Sequence, residues 1–225
     1  MLEHNSLLLA LASLPPLLLS AIGLFLIARM LKRKNGLIGE LAYIGATLIV
    51  AGQAMQALWR LLRAASGHDY HWLYNGLLVL VVPGSVCLAW ALWKGLRDGI
   101  AGMTAGQVWL LPLSLNAGLL ALTAASRVVL GGRAWFVILS IAATLAAIAA
   151  SLLLTRRAIH HRLSFAAMLF LIALVMPLVL ARMTGQGMAT QAAEWTRQIS
   201  NIISQAAFAF AAFQLATQET GAVRE

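Results

Sequence analysis

The chain has 225 residues, of which 61% are hydrophobic and 10% charged, with a formal net charge of +9. Soluble domains carry about 25% charged residues, so this composition excludes an ordinary soluble fold, and repeated apolar runs of about 20 residues indicate a helical membrane protein. The positive charge falls between the apolar runs, where it sets topology and meets anionic lipid, so no nucleic-acid partner is expected. Cys87 is the sole cysteine; an internal disulfide and a cysteine metal site are thereby excluded.

The chain opens MLEHNS, acidic rather than basic, so the first apolar run reads as a retained span rather than a signal peptide. That span is expected over 6–28, kinked by Pro15 and Pro16. Arg29, Lys32, Arg33 and Lys34 are read as a short basic loop. The second span covers about 38–62, with Glu40 at its start and Gln53, Gln56 and Arg60 on one face near its end. The short connection Ser66-Gly67-His68-Asp69 leads to a third span over 72–93, followed by Lys94, Arg97 and Asp98. The fourth covers 107–129, with Pro112, Ser114 and Asn116 inside it, and ends at the Gly131-Gly132-Arg133 turn. The fifth covers 135–154 and leads into a basic loop from Arg156 to Arg162 containing His160 and His161. The sixth covers 163–180, with Pro177; a Gly- and Thr-rich loop from Thr184 to Thr190 precedes the seventh, at 193–214.

The expected fold is therefore an all-α integral membrane protein of seven transmembrane helices, a single domain over 1–225. The loops after spans one, three and five hold every lysine and the densest arginine runs, which places them in the cytoplasm, the N-terminus outside and the C-terminus inside. Trp59, Trp72, Trp135 and Trp195 then mark the outer boundary, and Trp93 and Trp109 the inner one. The expected setting is a multi-pass protein of the cell membrane, the inner membrane of a bacterium, in contact with the lipid bilayer. Spans one to three and five to seven share punctuation: the basic loops LKRKNG and TRRAIHHR, the closing arginines Arg60 and Arg182, and the openings at Trp72 and Trp195. They suggest a 3+1+3 internal repeat, 6–95 and 133–218, joined by a linker helix at 107–129. This plan resembles the SWEET and PQ-loop transporters in architecture alone. Their Pro-Gln pair is missing, the first span having Pro15-Pro16 and the fifth no proline.

Function is read from the polar residues inside the spans. In the last span Glu194, Gln198, Asn201 and Gln205 stack on one helical face. Such a stripe cannot face hydrocarbon, where unsatisfied amides cost several kcal/mol each. It serves either as interhelical glue, worth about 0.6–2 kcal/mol a pair, or as the wall of a cavity. Arg60, Arg63, Arg127, Arg133, Arg182 and Arg197 lie at outer span ends, answered only by Glu3, Asp69 and Glu194. Arginine's planar fork suits a carboxylate or phosphate; snorkelling to lipid phosphates, or pairing of Arg197 with Glu194, is the plainer account. The candidate substrate site comprises Arg60 and Arg197 for an anionic group, oriented by Gln56, Asn75, Asn116, Gln198 and Asn201, with Glu194 alongside, between spans two, three, four and seven.

Several chemistries are missing. No lysine lies mid-span, which excludes a retinal Schiff base although the layout resembles the rhodopsins, and no mid-span histidine is present for haem. No H-E-x-x-H, G-x-S-x-G or Walker motif occurs. His68, Asp69 and His71 make at most a weak metal cluster; no catalytic residue, metal or cofactor is expected. The leading expectation is a transporter or binder of a small anionic solute. The alternatives are a membrane sensor or accessory subunit that packs Ala206, Ala207, Ala209, Ala211 and Ala212 against a partner protein or a second copy, and a lipid-modifying enzyme built on Glu194, Asp69 or the outer histidines.

Overall fold

A computed structural model describes residues 2–96, 103–129, 134–184 and 191–221, with side chains for 7–96, 103–129, 134–179 and 192–219. The helices are α1 (Leu2–Leu11), α2 (Leu14–Lys34), α3 (Gly36–Ser66), α4 (His71–Gly95), α5 (Ala105–Val129), α6 (Ala134–His160), α7 (Ser164–Thr184) and α8 (Gln191–Gly221). Six helical stretches, the first being Leu7–Lys34, are long and apolar enough to cross a membrane, and the shorter apolar helix Ser164–Val179 supplies a seventh. The expected seven-helix membrane bundle is thus present. Arg97, Asp98, Gly131, Gly132, Arg133, most of the loop before α8 and the side chains of Glu3 and Arg182 lie outside the described residues.

The expected boundaries are exceeded at the basic ends. The residues read as a first loop, Arg29 to Lys34, are helical, and the turn shrinks to Asn35, which ends α2 and caps α3 by accepting from the Ile38 N–H at 3.2 Å. The second basic loop also shrinks, because α6 runs on to His160. Its end is a Schellman turn: Leu163 N–H donates to the Ala158 carbonyl at 2.9 Å and Arg162 N–H to that of Ile159 at 2.9 Å. Arg162 stands there at φ 57°, a position glycine usually takes. The first span is broken rather than bent. Pro15 and Pro16 fall in the first turn of α2, where a missing N–H leaves no helical bond unmade. Pro83, Pro112 and Pro177 stand inside continuous helices.

Six helices form a ring in the order α2, α3, α4, α6, α7, α8, closed by the packing of α8 on α2. α5, the helix expected to link the two repeats, lies outside the ring against α4 and α6. The main cluster of buried apolar residues occupies the half of the ring nearest Lys34. It includes Leu31, Ile38, Leu41, Leu92, Leu154, Phe170 and Leu215, all at most 2% exposed. In hydrocarbon, close backbone approach drives association, and α3 and α4 achieve it at Gly45 and Gly84. A Cβ on Gly45 would stand 2.7 Å from the Gly84 carbonyl oxygen, and one on Gly84 the same distance from that of Gly45. The alanine face of α8 is used within the chain, since Ala211 and Ala212 are fully buried and Ala207 and Ala209 nearly so. It is therefore not free for a partner helix, which corrects the feature on which the accessory-subunit expectation rested.

Below the core, Glu219 of α8 ties three helix ends together. Its carboxylate lies 2.7 Å from Lys34 Nζ of α2, 2.6 Å from Arg157 Nε of α6 and 3.1 Å from His161 Nε2 just after α6. Glu219 is 7% exposed, and the cationic partners Lys34 and Arg157 answer the desolvation of its carboxylate. Glu40, at the start of α3, is exposed.

Two stability measurements test this half of the bundle. Gly84→Leu should lower unfolding stability in detergent by about 1–3 kcal/mol through overpacking, whereas Gly36→Ala, with nothing within 4 Å of the new carbon, should stay within about 1 kcal/mol of the parent. Glu219→Gln strands Lys34 and Arg157 and should cost about 3–5 kcal/mol, as broken buried pairs do, read as a fall in the thermal midpoint of the same preparation.

Candidate functional site

The half of the ring away from Lys34 is not filled. A vestibule of about 660 Å³ is lined by Gln56, Trp59 and Arg60 of α3, Asp69, His71, Tyr74 and Asn75 at the start of α4, Trp135 and Phe136 of α6, and Arg197 of α8. Beneath it lies a polar chamber of about 260 Å³. Its walls include Gln53, Gln56 and Arg60 from α3, Asn201 and Gln205 from α8, and Ser13 and Pro16 from the break in the first span. A third space of about 360 Å³ lies at the centre of the ring and touches all six ring helices. Neighbouring spaces share walls: Gln56 and Arg60 between the first two, Gln53, Val81 and Gln205 between the second and third. The three spaces follow one another from the vestibule down to the packed core.

Helical spacing explains why these side chains converge. Gln53, Gln56 and Arg60 recur at three and four residues along α3, and Asn201 and Gln205 at four along α8, so each set shares a face. In a bilayer that face must turn inward. The vestibule's two sides differ in chemistry. On one, rings form a continuous wall: Trp59 to Tyr74 at 5.0 Å between centroids, Tyr74 stacked on Phe136 at 6.2 Å, and Trp135 edge-on to Phe136 at 5.9 Å. On the other are the guanidinium groups of Arg60 and Arg197. Arg197 donates through Nη2 to Glu194 Oε2, the pairing that sequence spacing allowed. Arg60 is half-buried, within electrostatic reach of Arg197, Glu194 and Tyr74. Among the described residues no carboxylate lies within 4 Å of it.

The structure therefore brings Arg60, Arg197, Gln56 and Asn75 to the vestibule and Asn201 to the chamber below. Glu194 stands beside them as the partner of Arg197. Two expected residues lie elsewhere. Gln198 is 2% exposed and its Nε2 reaches the Leu9 carbonyl of α1 at 3.5 Å, a tie between helices. Asn116 is on the outlying α5, where its Nδ2 reaches Cys87 Sγ at 3.6 Å. Periodicity could not separate these amides from the others, because it gives a helix face and not the neighbour that face meets. Conversely, Trp59, Tyr74, Trp135 and Phe136 carry the signature of a membrane-boundary belt, and their convergence needs the ring. Gln205 was legible as the last member of the α8 stripe.

Outside the spans, Asp69 closes the rim of the vestibule. The Trp59 indole Nε1–H donates to Asp69 Oδ1 at 2.8 Å, His71 Nδ1 lies 3.0 Å from the same oxygen, and Arg63 lies 4.0 Å from Oδ2. The Arg63 guanidinium also stands over the Trp59 ring at 5.4 Å. Among the described residues no three histidines, cysteines or carboxylates are grouped so as to hold a metal ion. The Trp59 hydrogen bond, with His71 and Arg63, holds the Asp69 carboxyl below its ordinary range, against a smaller opposing effect of desolvation.

The architecture defines a multi-pass α-helical membrane protein with a string of internal spaces closed at the basic end. No known protein family, curated protein or solved structure matches the chain.

A group whose pKa is depressed on folding contributes stability above its unfolded value and loses it as pH falls through the folded one. The Asp69 clasp should therefore survive acidification to the ordinary aspartate pKa of about 3.9 and open only below it. Tryptophan emission titrated downward from neutral pH should show that late step in the parent protein and lack it in Asp69→Asn.

Proposed function

We propose that this protein binds and transports a small anionic solute, taken up at the vestibule, and that the described conformation is the one open at that end. The observation that carries the reading is Arg60: a half-buried cation, without a close carboxylate among the described residues, at the join of vestibule and chamber. A charge held out of water is costly unless it is answered, and an anionic ligand would answer it. Arg197 lines the same vestibule, Gln56 and Asn75 line it as hydrogen-bond donors, and Asn201 does so in the chamber below. The sealed opposite half fits one limb of an alternating cycle. The charge asymmetry supports a vestibule that faces outside the cell and a Glu219 cluster in the cytoplasm, as an uptake protein of a bacterial cytoplasmic membrane would have them.

The test is thermal stability of the purified protein against a panel of small carboxylates and phosphates, since a ligand of the folded state raises the melting point by mass action. A responding anion should bind Arg60→Gln about ten- to a hundredfold more weakly, the worth of about 1.5–3 kcal/mol for hydrogen bonds to a charged group. Arg197→Ala should lose less, because Glu194 already neutralises that residue. Without ligand, Arg60→Gln should melt at or above the parent, because it removes a half-buried charge that has no carboxylate within 4 Å among the described residues and stands near the Arg197 guanidinium. An unchanged anion response in a folded Arg60→Gln protein would remove this assignment.

A further inference from the structure

We infer that the solute is amphipathic: an organic acid whose anionic group lies at Arg60 and whose apolar part descends into the space at the centre of the ring. This deepens the anion-site reading above and rests on it. The inference comes from the order in which the three spaces follow one another. The cations are at the top, Arg197 in the vestibule with Asp69 at its rim and Arg60 at the join with the chamber. The chamber beneath is mixed, with amides facing Leu17, Leu77 and Leu78. The central space, of about 360 Å³, is walled chiefly by apolar side chains, among them Leu24, Ile49, Leu88, Leu174 and Phe208, and its lining has no charged residue. A small inorganic anion would use only the first of these environments. An acid with a hydrocarbon or aromatic portion would use all three, in order, since apolar burial favours the lower space and the guanidinium the upper.

The neck between the two lower spaces adds a further requirement. Gln53 and Gln205 stand there, and Gln53 Oε1 is buried with no hydrogen-bond partner among the described residues. A buried amide oxygen calls for a donor. Gln53 is seven residues from Arg60 on one helix, about 10 Å along its axis. The acid is therefore long enough to pass the neck, and a hydroxyl or N–H partway along it would bond Gln53. The vestibule, the most voluminous of the three spaces, is the entrance this inference takes.

The experiment is a chain-length series in nanodiscs of zwitterionic lipid: acetate, butyrate, hexanoate, octanoate and decanoate, with decanamide as the uncharged control. Affinity should climb by roughly fourfold per methylene once the chain passes the neck, and decanamide should bind weakly. Ala147→Phe, which fills the central space from α6, should reduce decanoate to the affinity of the short acids and leave butyrate unchanged; Ala143→Leu replaces it if that protein does not fold. Arg60→Gln should bring decanoate down to the level of decanamide. Equal affinities for butyrate and decanoate, or decanoate binding indifferent to both blocking variants, would overturn the inference while leaving the anion site standing. No response to any acid in the series, together with no response to the wider anion panel, would overturn both. Loss of decanoate binding in nanodiscs of anionic phospholipid would replace the soluble acid by a bilayer lipid and so overturn the inference as stated.

Discussion

Close approach of helices in the half of the bundle nearest Lys34 is the constraint on which the rest depends. Lipid chains are as apolar as leucine side chains, so helices gain little from leaving them and must gain by packing. The reciprocal contact of Gly45 and Gly84 brings α3 and α4 together there, the one-residue turn at Asn35 holds α2 against α3, and Leu31, Ile38, Leu92 and Leu215 fill what remains. With that half fixed, the ring can stay unfilled at its other end without falling apart.

The same division separates two uses of polar groups. At the basic end, Glu219, Lys34, Arg157 and His161 answer one another. Several partners around one carboxylate make a connection between α2, α6 and α8 that is specific in geometry. At the vestibule end, the amides of α3 and α8 line space rather than each other, and Arg60 is left facing it. A polar group satisfied within the protein holds a structure; one that is not is available to a ligand. Gln198 and Gln205 show the contrast on one helix, the first tied to Leu9 and the second on the wall of the chamber.

The vestibule also joins two surfaces of different kind. The ring wall of Trp59, Tyr74, Phe136 and Trp135 draws on α3, α4 and α6, while the cationic side draws on α3 and α8. α3 contributes to both, and Asp69 ties its Trp59 to the turn before α4. Movement of α3 relative to α8 would therefore change the distance between the two sides at the same time as it changed the neck at Gln53 and Gln205.

Composition and periodicity by themselves determined the membrane class, the seven crossings and the inward turn of the α3 and α8 stripes, because hydrocarbon tolerates neither a soluble composition nor an exposed amide row. They also carried the pairing of Arg197 with Glu194, a matter of spacing on one helix. Only the tertiary structure decided which helices form the ring. It put α5 and Asn116 outside, turned Gln198 into a tie, used the alanines of α8 internally and gathered boundary aromatics into a wall. It also extended α8 past the expected span end at 214, far enough to bring Glu219 against α2 and α6. A helix face is a local property fixed by 3.6 residues per turn; the neighbour it meets depends on packing between segments far apart in the chain, which no local pattern encodes.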